Sequence, residues 1–172
     1  IETPFFCPVA AAGSVEGITP AELRALGASV LLASTYDLFL RPGQPIVGQF
    51  GGLHRWLAWD GPLMTESGGS QVFALGWRLE PRKSPNQAPR LVKIDEDGAT
   101  FTSHIDGSRH RLTAESSIAM QEGFGADILL AFAEPTSTLH AADYTQRAME
   151  RTHRWAGRCI EARQRSGQAL YG

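Results

Sequence analysis

Three short runs, residues 29–33, 63–65 and 127–132, are apolar almost without interruption, and they constrain the fold more than any other feature. A strand that is apolar at every position is covered on both faces. That is the condition of a parallel sheet flanked by helices. Helical signals lie between the runs. Thr19, Pro20 and Glu22 form a capping box with proline at the first helical position, and Gly27 closes the short helix. Arg41-Pro42-Gly43 breaks the chain before a short segment around Ile46 and Val47. Thr113 caps a helix through Ser117, Ile118 and Met120. A long helix is predicted over 141–165, with Tyr144, Ala148, Thr152, Trp155 and Cys159 or Ile160 on its inner face. Residues 168–172 begin a further strand. Alternation of this kind gives the α/β class, and an open doubly wound sheet and a partial (β/α)8 barrel both fit.

The apolar runs end in polar residues: Ser34-Thr35-Tyr36-Asp37, Glu66-Ser67, and Glu134 after Ala133. In both folds the active site gathers at the C-terminal ends of the strands. The stretch from Met64 to Leu75 is the most telling. Its apolar run stops at a carboxylate, Glu66, and a Ser67-Gly68-Gly69 turn follows before a second apolar run. A buried strand ending this way puts a charge at the rim of a pocket. Backbone N–H groups beside it are then expected to be free to meet a flat ligand.

Residues 76–90 differ in kind. They are rich in proline and basic residues, show no apolar period, and read as an exposed loop. Short β segments follow. Asp97-Gly98 and Asp106-Gly107 are turn signals, and the second separates 100–105 from 109–112, a small antiparallel excursion.

The bulk properties narrow the function classes. A chain of 172 residues is long enough for one domain with a sizeable core. At 42% hydrophobic and 20% charged it has the composition of a soluble globular protein. No apolar run approaches the roughly 18–20 residues that span a bilayer. The first residues carry no basic segment ahead of an apolar core, so a secretory signal is not expected. Cys7 and Cys159 read as free thiols of a reducing cytoplasm, and no zinc or iron–sulfur spacing is present. His104 and His110 flank a turn without a third ligand, so no metal site is expected there. The net charge of −2 excludes a generic nucleic-acid sponge. Arg147, Arg151, Arg154 and Arg158 nevertheless stack along one helix face. That stripe is either a solvated, ion-paired face or a contact for a phosphate backbone.

The residues also carry a family resemblance. The segments 3–9, 17–23 and 34–43 are similar, in order, to the opening of a tRNA-guanine transglycosylase, the queuine tRNA-ribosyltransferase family. So are Gly51-Gly52-Leu53-His54 through Asp60, the Glu66 segment, 103–108 and 127–132. The likeness spans nearly the whole chain, with 76–90 as an insertion. It implies that residues 1–172 are the N-terminal half of a (β/α)8 TIM-type barrel, about its first four strand–helix units, because such a barrel needs ~250 residues. It further implies exchange of guanine for a 7-deazaguanine base at the tRNA wobble position, through a covalent ribosyl–enzyme intermediate. The expected partners are tRNA, the base, and a second subunit in a homodimer or paired complex. The setting is cytoplasmic. No cofactor is expected in this chain. The family's zinc site and nucleophile belong to its other half.

By the same resemblance Glu66 is the acid/base residue, and Glu66, Ser67, Gly68, Gly69, Ser70 and Gln71 bind substrate. Several pocket positions depart from the family pattern. Glu66 stands for Asp, Ser70 for Phe or Tyr, Ala133 for Asp, Pro135 for Cys, Ser34 for Asn and Asp37 for His. The scaffold motifs are intact while the pocket is changed. The expectation is therefore a transglycosylase scaffold with an altered or disabled guanine pocket. The alternative is a non-catalytic accessory or tRNA-binding subunit, or a decayed fragment.

Overall fold

The apolar runs become strands of one parallel sheet. The computed structural model describes residues 2–77, 92–138 and 140–172. Its parallel strands are β1 (Val9–Ala10), β2 (Leu31–Ala33), β3 (Leu63–Thr65), β7 (Ile128–Leu130) and β8 (Ala169–Tyr171), joined in the order β1-β2-β3-β7-β8. A separate antiparallel sheet holds β4 (Val92–Asp95), β5 (Gly98–Thr102) and β6 (Arg109–Thr113). The helices are α1 (Pro20–Ala25), α2 (Thr35–Leu40), α3 (Gln44–Gln49), α4 (Leu53–Trp56), α5 (Gly69–Trp77), α6 (Ala114–Phe124) and α7 (Ala142–Ala162). The spatial order of the parallel strands follows the chain order. Each new strand adds to the same edge, whereas a doubly wound sheet reverses its growth at a switch point.

Register explains which side chains are buried. Ala10, Ala33, Thr65 and Leu129 form one row across the strands, and each is fully buried. The next row, Val9, Leu32, Met64 and Ile128, lies on the opposite face. Val9 is 52% exposed and the other three are half-buried. The apolar runs predict cover on both faces; the described residues supply it on one. On the open side, Phe5, Met64, Ile128, Leu130 and Tyr171 line a cleft of about 410 Å³.

The covered side is closed by long-range aromatic packing. Trp155 of α7 stacks on Phe132 at 4.7 Å and faces Phe73 of α5 at 6.4 Å. Its indole N–H donates to the carbonyl of Glu96 at 2.7 Å, which satisfies the one polar atom such a residue buries. On α7, Ala148, Trp155 and Cys159 are buried and Ile160 is exposed, so the inner face runs through the cysteine. The arginine stripe is answered by carboxylates. Arg147 pairs with Asp143, Arg154 with Glu96, Arg158 with Glu115 and Arg151 with Glu134. The Arg158 guanidinium holds the Glu115 carboxyl down to about 2. The more exposed pairs, Arg147–Asp143, Arg154–Glu96 and Arg158–Glu115, contribute ~0–1 kcal/mol each, whereas Arg151 and Glu134 form a buried pair. Their main effect is orientation: Glu96 sits in the turn between β4 and β5, so the stripe pins the small sheet against α7.

Four sequence expectations are corrected. The segment 34–37 is the cap and first turn of α2, not a strand end, because the Ser34 hydroxyl accepts the Asp37 N–H at 3.1 Å. The apolar run after Gly69 is helical, and α5 extends through Gly76 and Trp77, the first residues of the expected 76–90 loop. The rest of that loop lies outside the described residues. The hairpin strands are β5 and β6, with 103–108 as the connection. The long helix ends at Ala162 instead of 165. Produced alone, the 172-residue chain is expected to self-associate through its open apolar sheet face. Sedimentation velocity checks this, and a monomer that unfolds in one sharp transition would contradict it.

Candidate functional site

Parallel pairing brings the ends of β2, β3 and β7 to one edge of the sheet, and Glu66 leaves the middle strand there. Its carboxylate turns back onto the backbone. One oxygen accepts the Gly68 N–H at 2.6 Å, and the other accepts the Tyr36 N–H in the first turn of α2 at 3.4 Å. Burial pushes the Glu66 carboxyl above its ordinary value; donors from Gly68, Tyr36, Thr35 and the Ser34 hydroxyl oppose that rise without cancelling it. The N–H groups expected to be free for a ligand are thus engaged within the turn, Gly68 by Glu66 and Gly69 by the Ser67 hydroxyl at 3.4 Å.

The turn needs both glycines, for different reasons. Gly68 has φ +83°, a left-handed conformation, and a side chain there would meet Leu112. Gly69 begins α5, and a Cβ on it would lie 2.7 Å from the Ala133 carbonyl. The turn after β3 and the segment after β7 are therefore in direct backbone contact. Ser67 is buried; its carbonyl accepts the Ser117 hydroxyl at 2.7 Å. On the first turn of α5, Ser70 is exposed and Gln71 is half-buried. The Gln71 carboxamide oxygen is buried with no hydrogen-bond partner among the described residues. The Thr35 hydroxyl, one residue from the α2 cap, is in the same condition. Such groups cost stability unless something else meets them.

The β7 side is built differently. Ala133 presents its backbone and no polar side chain. Glu134 is buried and fully engaged by α7: it accepts the Tyr144 hydroxyl at 2.5 Å and pairs with Arg151, while its own N–H donates to Thr152 at 3.0 Å. Burial first, then the Glu134 contact, pushes the Tyr144 phenol up to about 12. The small sheet approaches through Tyr36, which is buried on Phe101 and shares a 2.8 Å hydrogen bond with His104. His104 and His110 do not meet, since His110 bonds Ser108 at 2.7 Å. Among the described residues no group of three or more His, Cys, Asp or Glu side chains could hold a metal ion. His54 lies at the opposite end of the sheet, 3.1 Å from Asp127.

The structure thus brings Glu66, Ser67, Gly68 and Gly69 together with Ser34, Tyr36 and Ala133, and sets Ser70 and Gln71 on the adjoining helix turn. Sequence reasoning missed the Thr35 and Tyr36 backbone donors, although Ser34-x-x-Asp37 is a helix-start pattern that could have revealed them. It also missed Gln121, which is 0% exposed and shares the buried face of α6 with Ser117, one turn before it.

A family model described as queuine tRNA-ribosyltransferase matches residues 1–172. The chain belongs to that family. A queuine tRNA-ribosyltransferase of Herpetosiphon aurantiacus is 51% identical over 174 residues, covering 100% of this chain and 41% of the relative. Relatives of the same name from Roseiflexus sp. and Thermus thermophilus are each 45% identical, covering 93% and 100% of this chain and 42% and 41% of their own lengths. The chain therefore spans about two-fifths of the curated relatives it matches. No helix among the described residues is long and apolar enough to cross a membrane.

The raised Glu66 carboxyl gives a signed prediction. The folded state keeps that proton at a pH where the unfolded chain, near the ordinary value of 4.5, has lost it. Stability from this group is full below that value and is lost as pH rises through the folded pKa. Glu66→Gln is neutral throughout, so its stability relative to the parent should increase with pH across the window. Urea unfolding in steps from acid to neutral pH checks this. A parent–variant difference that is flat with pH would refute it.

Proposed function

We propose that residues 1–172 are the N-terminal part of a (β/α)8-type barrel, and that the full-length protein exchanges guanine for a 7-deazaguanine base in tRNA. Strand addition along one edge and the open apolar sheet face support the barrel. Barrel interiors are filled by the side chains of all eight strands, so the strands described here would expose such a face. The share of the relatives' length agrees with it. The observation that carries the catalytic reading is Glu66: a half-buried carboxyl, raised by burial, at the strand-end edge beside a two-glycine turn.

In this mechanism the wobble nucleotide leaves its stack to enter the slot. A carboxylate from the rest of the protein attacks ribose C1′. The C1′–N9 bond breaks as a C1′–O bond forms, and protonated Glu66 supplies the proton that the departing guanine takes. The incoming deazaguanine then attacks C1′ through N9, the ester C–O bond breaks, and the N9 proton returns to Glu66. A carboxyl that burial raises above its ordinary value suits both transfers. Ser67, Gly68 and Gly69 shape the slot. Ser70 and Gln71 border it, and the unmatched Gln71 oxygen is an acceptor for a donor on the substrate. The full-length protein is proposed to act on tRNA in the cytoplasm, as a homodimer or with a paired subunit.

A second reading rests on the pocket itself. Ser70 offers no ring to stack on the base, and Ala133 offers no carboxylate to its edge. Each missing contact costs ~1–3 kcal/mol. This favours a weakened pocket, and at the limit an accessory tRNA-binding subunit. Incorporation of labelled guanine into tRNA by the full-length protein separates the two. Slow exchange is expected, and Ser70→Tyr with Ala133→Asp should tighten guanine binding at least about tenfold. Robust exchange by the parent, or equal affinity in the double variant, overturns the weakened-pocket reading. Absence of exchange in both proteins overturns the catalytic reading and leaves the accessory subunit.

A further inference from the structure

Behind the Glu66 turn lies a buried polar chain that the mechanism above does not use. β3 and β7 pair only as far as Thr65 and Leu129. At the next position the Gln121 carboxamide, from α6, takes the place of a neighbouring peptide. Its oxygen accepts the Leu130 N–H at 3.0 Å, and its NH2 donates to the Leu130 carbonyl at 2.9 Å. The same oxygen accepts the Thr65 hydroxyl at 3.0 Å, and the other N–H donates to Ser117 at 3.1 Å. Ser117 in turn donates to the Ser67 carbonyl at 2.7 Å. Gln121, Ser117 and Thr65 are each 0% exposed.

All four hydrogen-bonding positions of the amide are filled, and Leu130 reads both of its ends, so the group cannot flip. Each proton in the chain has one direction: Thr65 to Gln121, Gln121 to Ser117, Ser117 to Ser67. A satisfied buried network of this kind is rigid and specifies one arrangement. A wholly apolar contact between α6 and the sheet would stabilise the fold without fixing the rotation of the Ser67 peptide.

We propose that Gln121 is a positioning residue for the nucleobase slot, spacing the ends of β3 and β7 and, through Ser117, fixing the Ser67 peptide from which the Glu66–Gly69 turn hangs. The proposal rests on the slot assigned above, but its geometry stands apart from any ligand. Ser117→Ala cuts the relay to Ser67 and leaves the clamp on Leu130. Gln121→Leu removes both. Gln168→Ala is the control, since Gln168 bonds the Ala126 carbonyl at the far end of the sheet.

The test uses the full-length protein that carries this chain and follows amide hydrogen exchange without ligand, together with guanine titration by calorimetry. Ser117→Ala should speed exchange of the Gly68 and Gly69 amides at least about tenfold while leaving β1 and β2 unchanged, as local opening requires. Its guanine affinity should fall about tenfold, whereas Gln168→Ala should lower thermal stability and keep the parent's affinity. Unchanged exchange in the turn, or acceleration spread evenly over the sheet, overturns the proposal. So does equal guanine affinity for the parent and Ser117→Ala. A parent that binds no guanine removes the function proposed above, and the exchange result alone then decides the role of Gln121.

Discussion

The pairing of Met64 with Leu32 on one side and Ile128 on the other is the constraint from which the rest follows. Because all three strands run parallel in this register, their ends share an edge, and the residues just past them are neighbours. Ser34, Glu66 and Ala133 are separated by 30 residues or more in the chain, yet this pairing brings them to one edge of the sheet. A slip of one residue would exchange the buried row for the open one and carry Glu66 to the other face.

Much of this arrangement was legible in the sequence because it is written in periodicity. Continuous apolar runs marked β2, β3 and β7, and the Thr19 and Thr113 caps marked α1 and α6 with the residues that begin them. The candidate site was legible only as a place in the fold: a carboxylate and two glycines after a buried strand. Its internal chemistry was not. Whether a glutamate side chain faces solvent or returns to the backbone depends on where Tyr36 N–H lies, and that is set by contacts across the sheet. Gln121 was invisible for a related reason. A glutamine on a helix reads as surface until the strand whose hydrogen bonds it completes is known.

The arginine stripe shows how local pattern misleads about partners. Spacing alone placed four guanidiniums on one face, a fair template for phosphates. Arg147 finds Asp143 one turn earlier on α7, but the partners of the other three, Glu96, Glu115 and Glu134, come from the small sheet, α6 and the segment after β7, and no local spacing relates these to α7. The stripe is an internal strut. It ties the antiparallel excursion and the strap around Ala133 to the longest helix, and so holds two walls of the site at once.

The contact between Gly69 and the Ala133 carbonyl has a consequence for how such a pocket can diversify. It is made by main chain alone, so it is indifferent to the side chain at 133. With Ser70 exposed on the adjoining turn, positions 70 and 133 both hang from a frame that neither side chain supports. Mutational drift can exchange the side chains there without first having to reinvent the architecture that carries them.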